Sequence, residues 1–226
     1  MAEPYYPVLE TISDHTKLYG EKHTDIQWDE MASVPVTSLD QMSKLILYAI
    51  DSTETKSISD THLQKIIFQI LRMLKQDPKN YGYRPHHYGP YSDSVNENKK
   101  SLESIGYLKP IRNGNGVCMT DDAKRSSSEL RMDPDTGFRI RCISEDYSKL
   151  SNDELLLTIY SDDLEGTGGT FIENSDVKDR ILGNRESIAA GMYLNGKVTL
   201  ERSSELADMN IRDFSCLIQK IRGLAS

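Results

Sequence analysis

Residues 92–120 are the most informative part of the sequence for the fold, and they read SDSVNENKKSLESIGYLKPIRNGNGVCMT. Ser92 starts a polar run suited to capping a helix, and the apolar residues that follow at helical spacing predict a helix over 93–105. The stripe consists of Val95, Leu102 and Ile105. Gly106 suits the position just past the C-cap, because glycine adopts the left-handed conformation found there at little cost.

A β-hairpin is predicted directly after this helix. Residues 107–112 and 117–119 have strand character, and residues 113–116 between them are Asn-Gly-Asn-Gly. This tetrapeptide is a strong hairpin-turn signal, because Gly adopts positive φ freely and Asn tolerates it.

Two further helices precede this segment. The first is predicted near 39–51, with Ser38 as N-cap and Gln41 three residues later completing a capping box. The second begins at Ser59 or Asp60 and stops before Asp77-Pro78. Its apolar residues cover much of the helix circumference, so we expect this helix to be central.

Three helices followed at once by a hairpin have the layout of a winged helix. We therefore predict an α+β fold, mainly α, with a winged helix-turn-helix core over 38–165. The helix 93–105 is its recognition helix, and residues 107–119 are its wing.

Two flanking regions complete the predicted domain organisation. Residues 1–37 form an acidic N-terminal arm, anchored by Trp28. Residues 170–226 form an added C-terminal helical module after a flexible glycine-rich link. Its helices are predicted over 184–194, 199–207 and 211–221.

The most unusual segment is the tyrosine-rich turn, residues 81–91, which reads YGYRPHHYGPY. Its prolines and glycines exclude a regular helix. Tyrosines in such a segment more often pack the turn than stack on bases.

The chain has 226 residues and a net charge of −8, which excludes a uniformly basic surface for nucleic acid. The charge is uneven. Residues 1–56 hold four Lys and Arg against ten Asp and Glu, residues 57–125 hold eleven against seven, and residues 126–226 hold twelve against eighteen. The basic central segment is the best candidate for contact with a polyanion.

Other bulk features indicate the compartment. No apolar run reaches the roughly 18 residues of a membrane helix, and the first residues lack the pattern of a signal peptide. Cys118, Cys142 and Cys216 lie far apart, and an odd number of cysteines fits a reducing compartment. We therefore expect a cytoplasmic protein without structural zinc.

The candidate DNA-binding residues lie on the turn, the third helix and the wing. Amide side chains can bind adenine edges, Lys can neutralise phosphates, and a helix N-terminus can hold a phosphate. The candidates are Arg84, His86, His87, Ser92, Asn96, Lys99, Lys100, Arg112 and Asn115. Acidic residues on the same helix, Asp93, Glu97 and Glu103, weigh against a strong grip on phosphate.

Catalytic and metal sites find little support. His86 and His87 are adjacent and point in different directions, and no HxxxH or HExxH spacing occurs. Neither a GxSxG motif nor a cysteine with a local His partner is present. We expect no enzymatic activity, no cofactor and no metal.

A resemblance adds to this interpretation. Residues 63–68, LQKIIF, followed by residues 87–92, HYGPYS, are similar to the pattern of the YwgA-like and SocA-like (Panacea) proteins of prokaryotes and phages. Residues 102–108 and 150–155 also resemble that group, so the similarity covers about residues 39–165. It implies a winged-helix scaffold used in regulation or in toxin–antitoxin systems, and some members act as protein-binding adaptors.

The C-terminal module resembles a second group. Residues 192–200 and 205–207, together with Phe214, are similar to small helical proteins of antitoxin type. This similarity implies a regulatory role for the module.

Two functions remain open. The first is a non-enzymatic DNA-binding regulator, an antitoxin-like transcriptional repressor that binds duplex DNA, with a homodimer as one arrangement. The alternative is a protein-binding adaptor or antitoxin that holds a toxin or client without binding DNA.

Overall fold

The computed structural model describes residues 34–111, 114–163 and 175–224. The described chain is mainly helical, with a small antiparallel sheet. Its helices are α1 (Gln41–Asp51), α2 (Asp60–Met73), α3 (Asp93–Ser104), α4 (Asp121–Ser126), α5 (Pro134–Ser148), α6 (Asn152–Asp163), α7 (Asp176–Gly183), α8 (Arg185–Leu194), α9 (Leu200–Ala207) and α10 (Ile211–Leu224). Its strands are β1 (Ser57–Ser59), β2 (Tyr83–Arg84), β3 (Tyr91–Ser92), β4 (Leu108–Pro110) and β5 (Gly116–Met119).

The helix α1 begins two residues later than the sequence predicted. Asp40 is its N-cap and accepts a hydrogen bond from the backbone N–H of Ser43 at 2.9 Å. The expectation that Ser38 caps this helix is therefore wrong. Ser38 instead ends a short 3₁₀ turn, where its hydroxyl donates to the carbonyl of Pro35 at 2.7 Å.

The predicted third helix and hairpin are confirmed. Ser92 caps α3 and accepts from the N–H of Val95 at 3.2 Å. Gly106 follows the C-cap with φ +81°. The strands β4 and β5 pair antiparallel, with Leu108 opposite Met119.

The sheet has a third strand that the sequence did not reveal. The strand order is β1-β5-β4, and Ile58 of β1 lies opposite Val117 of β5. Gly116 makes this approach possible, because a Cβ there would lie 2.3 Å from the carbonyl oxygen of Ile58. β1 has three residues, which is too short for an alternating pattern to show.

The described residues form two hydrophobic cores. The first lies between α1, α2, α3 and the sheet, and runs from Val36 to Ile140. The second runs from Leu150 to Ile218 and includes α6. The helix α6 thus packs with the C-terminal helices, although the sequence placed it within the domain ending at residue 165. The glycine-rich link and most of the N-terminal arm lie outside the described residues.

The C-terminal helices α8, α9 and α10 agree closely with the predicted ranges. The sequence patterns did not predict the helices α5 and α7. No helix in the described ranges is long and apolar enough to cross a membrane.

Asp162 at the end of α6 ties the two cores together. Its carboxylate accepts from the Gln69 amide at 3.3 Å and from the Tyr147 hydroxyl at 3.4 Å, and it pairs with Arg202. Nearby, an Arg72 N–H donates to the carbonyl oxygen of Asp162 at 3.4 Å. These contacts join α2 and α5 of the first core to α6 and α9 of the second.

Candidate functional site

The tyrosine-rich turn is held in place by the central helix α2. Residues 63 to 71 of this helix are all buried, including the polar Gln64, Lys65 and Gln69. Buried polar groups need hydrogen-bond partners to offset the loss of water. Gln64 and Lys65 find their hydrogen-bond partners in the turn and directly after it. The largely apolar helix α2 therefore also holds the tyrosine-rich turn in place.

Gln64 forms two hydrogen bonds with the backbone of Ser92, the residue that follows the turn. Its amide donates to the Ser92 carbonyl at 2.9 Å, and its side-chain oxygen accepts from the Ser92 N–H at 2.9 Å. Ser92 also donates from its hydroxyl to the Tyr81 carbonyl at 2.6 Å. The two ends of the turn are thereby joined at one buried point.

Tyr83 adds a second anchor. Its hydroxyl donates to the Gln64 carbonyl at 2.7 Å, and its ring meets Phe68 edge-on at 5.2 Å between centroids. Burial raises its pKa well above the ordinary value for tyrosine. Tyr83 is therefore a packing residue, as expected for most tyrosines in this segment.

Lys65 is the unusual member of this cluster. Only 2% of the residue is exposed, and its Nζ donates to the Pro90 carbonyl at 3.1 Å. Burial lowers its pKa to about 7, because desolvation disfavours the charged amine. Within the described ranges, the ammonium group forms no ion pair.

The outer part of the turn presents aromatic rings to solvent. Tyr88 is 53% exposed. The ring of His86 is stacked near Tyr88 at 6.4 Å and lies 5.4 Å from Tyr91, both between centroids. Burial, followed by the charge of Lys65, lowers the pKa of His86, so this ring is mostly neutral at pH 7.

A cleft of about 200 Å³ opens beneath these rings. One wall is α2, from Asp60 to Lys65, and another is α3, which contributes Asn96 and Lys99. His86, Tyr88 and Tyr91 form the rim on the side of the turn. The cleft therefore combines buried nitrogen donors with an aromatic edge.

The turn also contacts the second core. The carbonyl of His87 accepts from the Ser175 hydroxyl at 3.2 Å and from the Tyr160 hydroxyl at 3.4 Å. Burial raises the pKa of Tyr160 to about 12, so its hydroxyl keeps its proton at neutral pH. The turn thus lies where the two cores meet.

Three of the candidate DNA-binding residues already have protein partners. Ser92 is fully buried as the cap of α3. Lys99 is 9% exposed, and its Nζ lies 2.8 Å from the Asp60 carboxylate and 3.9 Å from that of Glu103. Arg84 is exposed but pairs with Asp93 at 2.7 Å.

The other candidates are spread over different surfaces. His86 and His87 are exposed on the turn, Asn96 lines the cleft, and Lys100 and Asn115 are exposed. Arg112 lies outside the described residues. The structure brings His86, Asn96 and Lys99 together at one cleft.

Sequence reasoning missed Lys65 as a site residue. The sequence signal is weak, because Lys65 has apolar neighbours in Ile66 and Phe68 but polar ones in Gln64 and Gln69. No group of three or more His, Cys, Asp or Glu residues in the described parts of the chain is arranged to hold a metal ion.

Comparison with known proteins finds no matching family model, no matching curated protein and no matching solved structure.

Proposed function

We propose that this chain is a non-enzymatic protein-binding module, an adaptor or antitoxin-like regulator that holds its partner at the tyrosine-rich turn. The main support for this proposal is an exposed aromatic surface on a turn whose backbone is held by buried hydrogen bonds. Tyr88 and His86 stand outward, while Gln64 and Ser92 lock the turn beneath them. Exposed tyrosines are enriched at the centres of protein–protein interfaces.

In this proposal residues 38–165 include a winged-helix core that serves as the scaffold. The support is the element order, three helices and then a hairpin, together with the β1-β5-β4 strand order. The resemblance to YwgA-like and SocA-like proteins belongs to the same proposal. Its two motifs are in direct contact, since Gln64 and Lys65 of the first bind Ser92 and Pro90 of the second.

The charge of α3 weighs against DNA as the primary partner. Its exposed residues include Asp93 and Glu97 but only one lysine, Lys100. Lys99 is already neutralised by Asp60. A helix that enters a DNA groove gains most of its affinity from cations near phosphates, and this face offers few.

Site-specific photocrosslinking tests the protein-binding proposal. A benzoylphenylalanine replaces Tyr88 in cells that naturally make the protein, and the control places the same group at the exposed Lys220. We expect one discrete protein adduct at position 88 that is absent at position 220. A Tyr91→Ala background should reduce this adduct. Equal crosslinking at both positions, or none at position 88, argues against the proposal.

DNA binding is the second candidate, and the winged-helix element order is the observation that favours it. Fluorescence anisotropy with duplex DNA at two salt concentrations tests it. Binding that weakens steeply with salt supports this function. The absence of binding at low salt removes it for the isolated protein.

A further inference from the structure

The cleft beneath the tyrosine-rich turn is lined by a buried amine, that of Lys65, which forms no ion pair with any described residue. Lys65 is 2% exposed, and its one hydrogen-bond acceptor in the described part of the chain is the neutral carbonyl of Pro90. An ammonium group has three donors. Burying such a group with one neutral partner is unfavourable. A negative charge placed here would therefore stabilise the charged form of Lys65.

The other charges around the cleft do not meet this need. The charge of Lys99 is balanced by Asp60 at 2.8 Å, with Glu103 3.9 Å away. His86, on the turn, supplies no negative charge, and its pKa is lowered by burial and then by the charge of Lys65. The groups that line the cleft thus leave one positive charge, that of Lys65, uncompensated.

We propose that this cleft binds a single carboxylate of the partner protein, presented beside a flat apolar side chain, with Lys65 as its counter-ion. This inference rests on the proposed protein-binding function and specifies the chemistry of the partner. Lys65 and the Asn96 amide at the cleft wall supply the polar contacts. The rings of Tyr88 and Tyr91 receive the apolar side chain.

The charge balance favours a carboxylate over a phosphate. A phosphate dianion needs two or more cations, and here the second lysine is committed to Asp60, whose own carboxylate lines the cleft. Asp60 therefore repels a dianion more strongly than a monoanion. The cleft volume of about 200 Å³ is below the roughly 300–1,000 Å³ of ordinary small-molecule pockets, which favours a ligand of side-chain size over a nucleotide.

The lowered pKa of Lys65 agrees with this assignment. Its value of about 7 means that the amine is partly charged at neutral pH. A bound carboxylate would favour the charged form. Ligand binding and protonation of Lys65 are therefore expected to support each other.

Binding of small probes to the full-length protein tests the proposal by ¹H–¹⁵N NMR titration. The probes are N-acetylphenylalanine, its uncharged C-terminal amide, inorganic phosphate, and an end-blocked peptide containing Glu followed by Phe. We expect the acid and the peptide to shift the amides of Gln64, Tyr91 and Asn96. We expect binding of the amide or of phosphate to be weaker by at least about tenfold.

Variants assign the effect to Lys65. Lys65→Met should weaken binding of the acid by at least about tenfold, whereas Lys100→Met, at an exposed lysine of α3, should leave it unchanged. Tyr88→Ala, at an exposed rim position, provides a variant with no buried change and should also weaken binding. Retained binding in Lys65→Met, or equal binding of acid and amide, overturns the proposal.

The experiments can refute the protein-binding function and the carboxylate inference independently of each other. If probes do not bind but crosslinks at position 88 persist, the carboxylate inference is wrong and the protein-binding function stands. If the acid binds but no partner crosslinks, the protein-binding function is wrong, and the ligand is a small aromatic acid instead of a protein. If only N-acetylphenylalanine binds and the end-blocked peptide does not, a protein segment with an internal carboxylate is excluded as the source.

Discussion

Replacing Lys65 by Met should stabilise the protein at pH 7. The pKa of Lys65 is about 7 in the folded protein, against 10.5 for the free side chain. Each pKa unit corresponds to about 1.4 kcal/mol. Keeping this lysine buried therefore lowers the free energy of unfolding at pH 7 by about 4 kcal/mol. Met has a similar length and no charge, so Lys65→Met removes this cost.

The substitution has a smaller opposing effect. It leaves the Pro90 carbonyl without its donor, which costs about 1 to 2 kcal/mol. The net expectation is a gain of about 2 to 3 kcal/mol at pH 7. Urea unfolding followed by circular dichroism measures this gain directly.

The pH dependence gives an independent check on the same residue. Between pH 7 and pH 10.5 the unfolded chain holds a proton on Lys65 that the folded chain releases, so the free energy of unfolding rises with pH. From pH 7 to pH 9.5 this rise amounts to about 3 kcal/mol. Burial raises the pKa of Tyr83, which opposes the trend only as the pH approaches 10.

The difference in the free energy of unfolding between wild type and Lys65→Met reports the contribution of Lys65 alone, because all other groups titrate in both proteins. We expect the gain from the substitution to shrink steadily between pH 7 and pH 9.5. Parallel curves for the two proteins would refute the argument, as would a variant that is less stable than wild type at pH 7. Either result would mean that the Lys65 amine has a counter-charge or water that offsets its burial.

Three further predictions concern the scaffold and the surfaces. Gly116→Ala should destabilise the protein by at least about 2 kcal/mol in urea unfolding, because the new Cβ meets the β1 backbone. Gly114→Ala, where no atom of the described residues beyond the chain neighbours lies within 4 Å of the new Cβ, should cost about 1 kcal/mol. Asp162→Ala should cost about 2 kcal/mol by thermal unfolding, since it removes the ion pair with Arg202, which keeps Glu205 as a partner, and the acceptor of Gln69 and Tyr147. If duplex DNA binds, Lys100→Ala should lower the salt slope by about one; an unchanged slope would remove α3 from the interface.

Local signals in the sequence were sufficient for the part of the fold around α3. The Ser92 cap, the Gly106 terminator and the turn at residues 113–116 each act within a few residues, and each predicted its element correctly. The strand β1 was missed for the opposite reason. It exists because Gly116 lets another strand approach, and that partner is more than fifty residues away in the chain.

The candidate site was harder to predict, because burial separates residues that look alike in sequence. Lys99 and Lys100 are adjacent, and the sequence predicts both as phosphate contacts. The helix turns Lys99 inward to Asp60 and leaves Lys100 exposed. A sequence gives the period of a helix but not the position of a carboxylate on a neighbouring helix.

Gln64 and Lys65 show how a structural role and a binding role differ in physical terms. Both are buried polar residues of α2 that hold the same turn. Gln64 uses its donor and its acceptor on one backbone unit at 2.9 Å each, so its polar groups are matched within the fold. Lys65 makes one bond and carries a charge that the described protein does not balance. The turn needs a hydrogen-bond donor at that position, but it does not need a cation. A site for an anionic group does require a cation, and here one is kept beside an open cleft at a cost in stability.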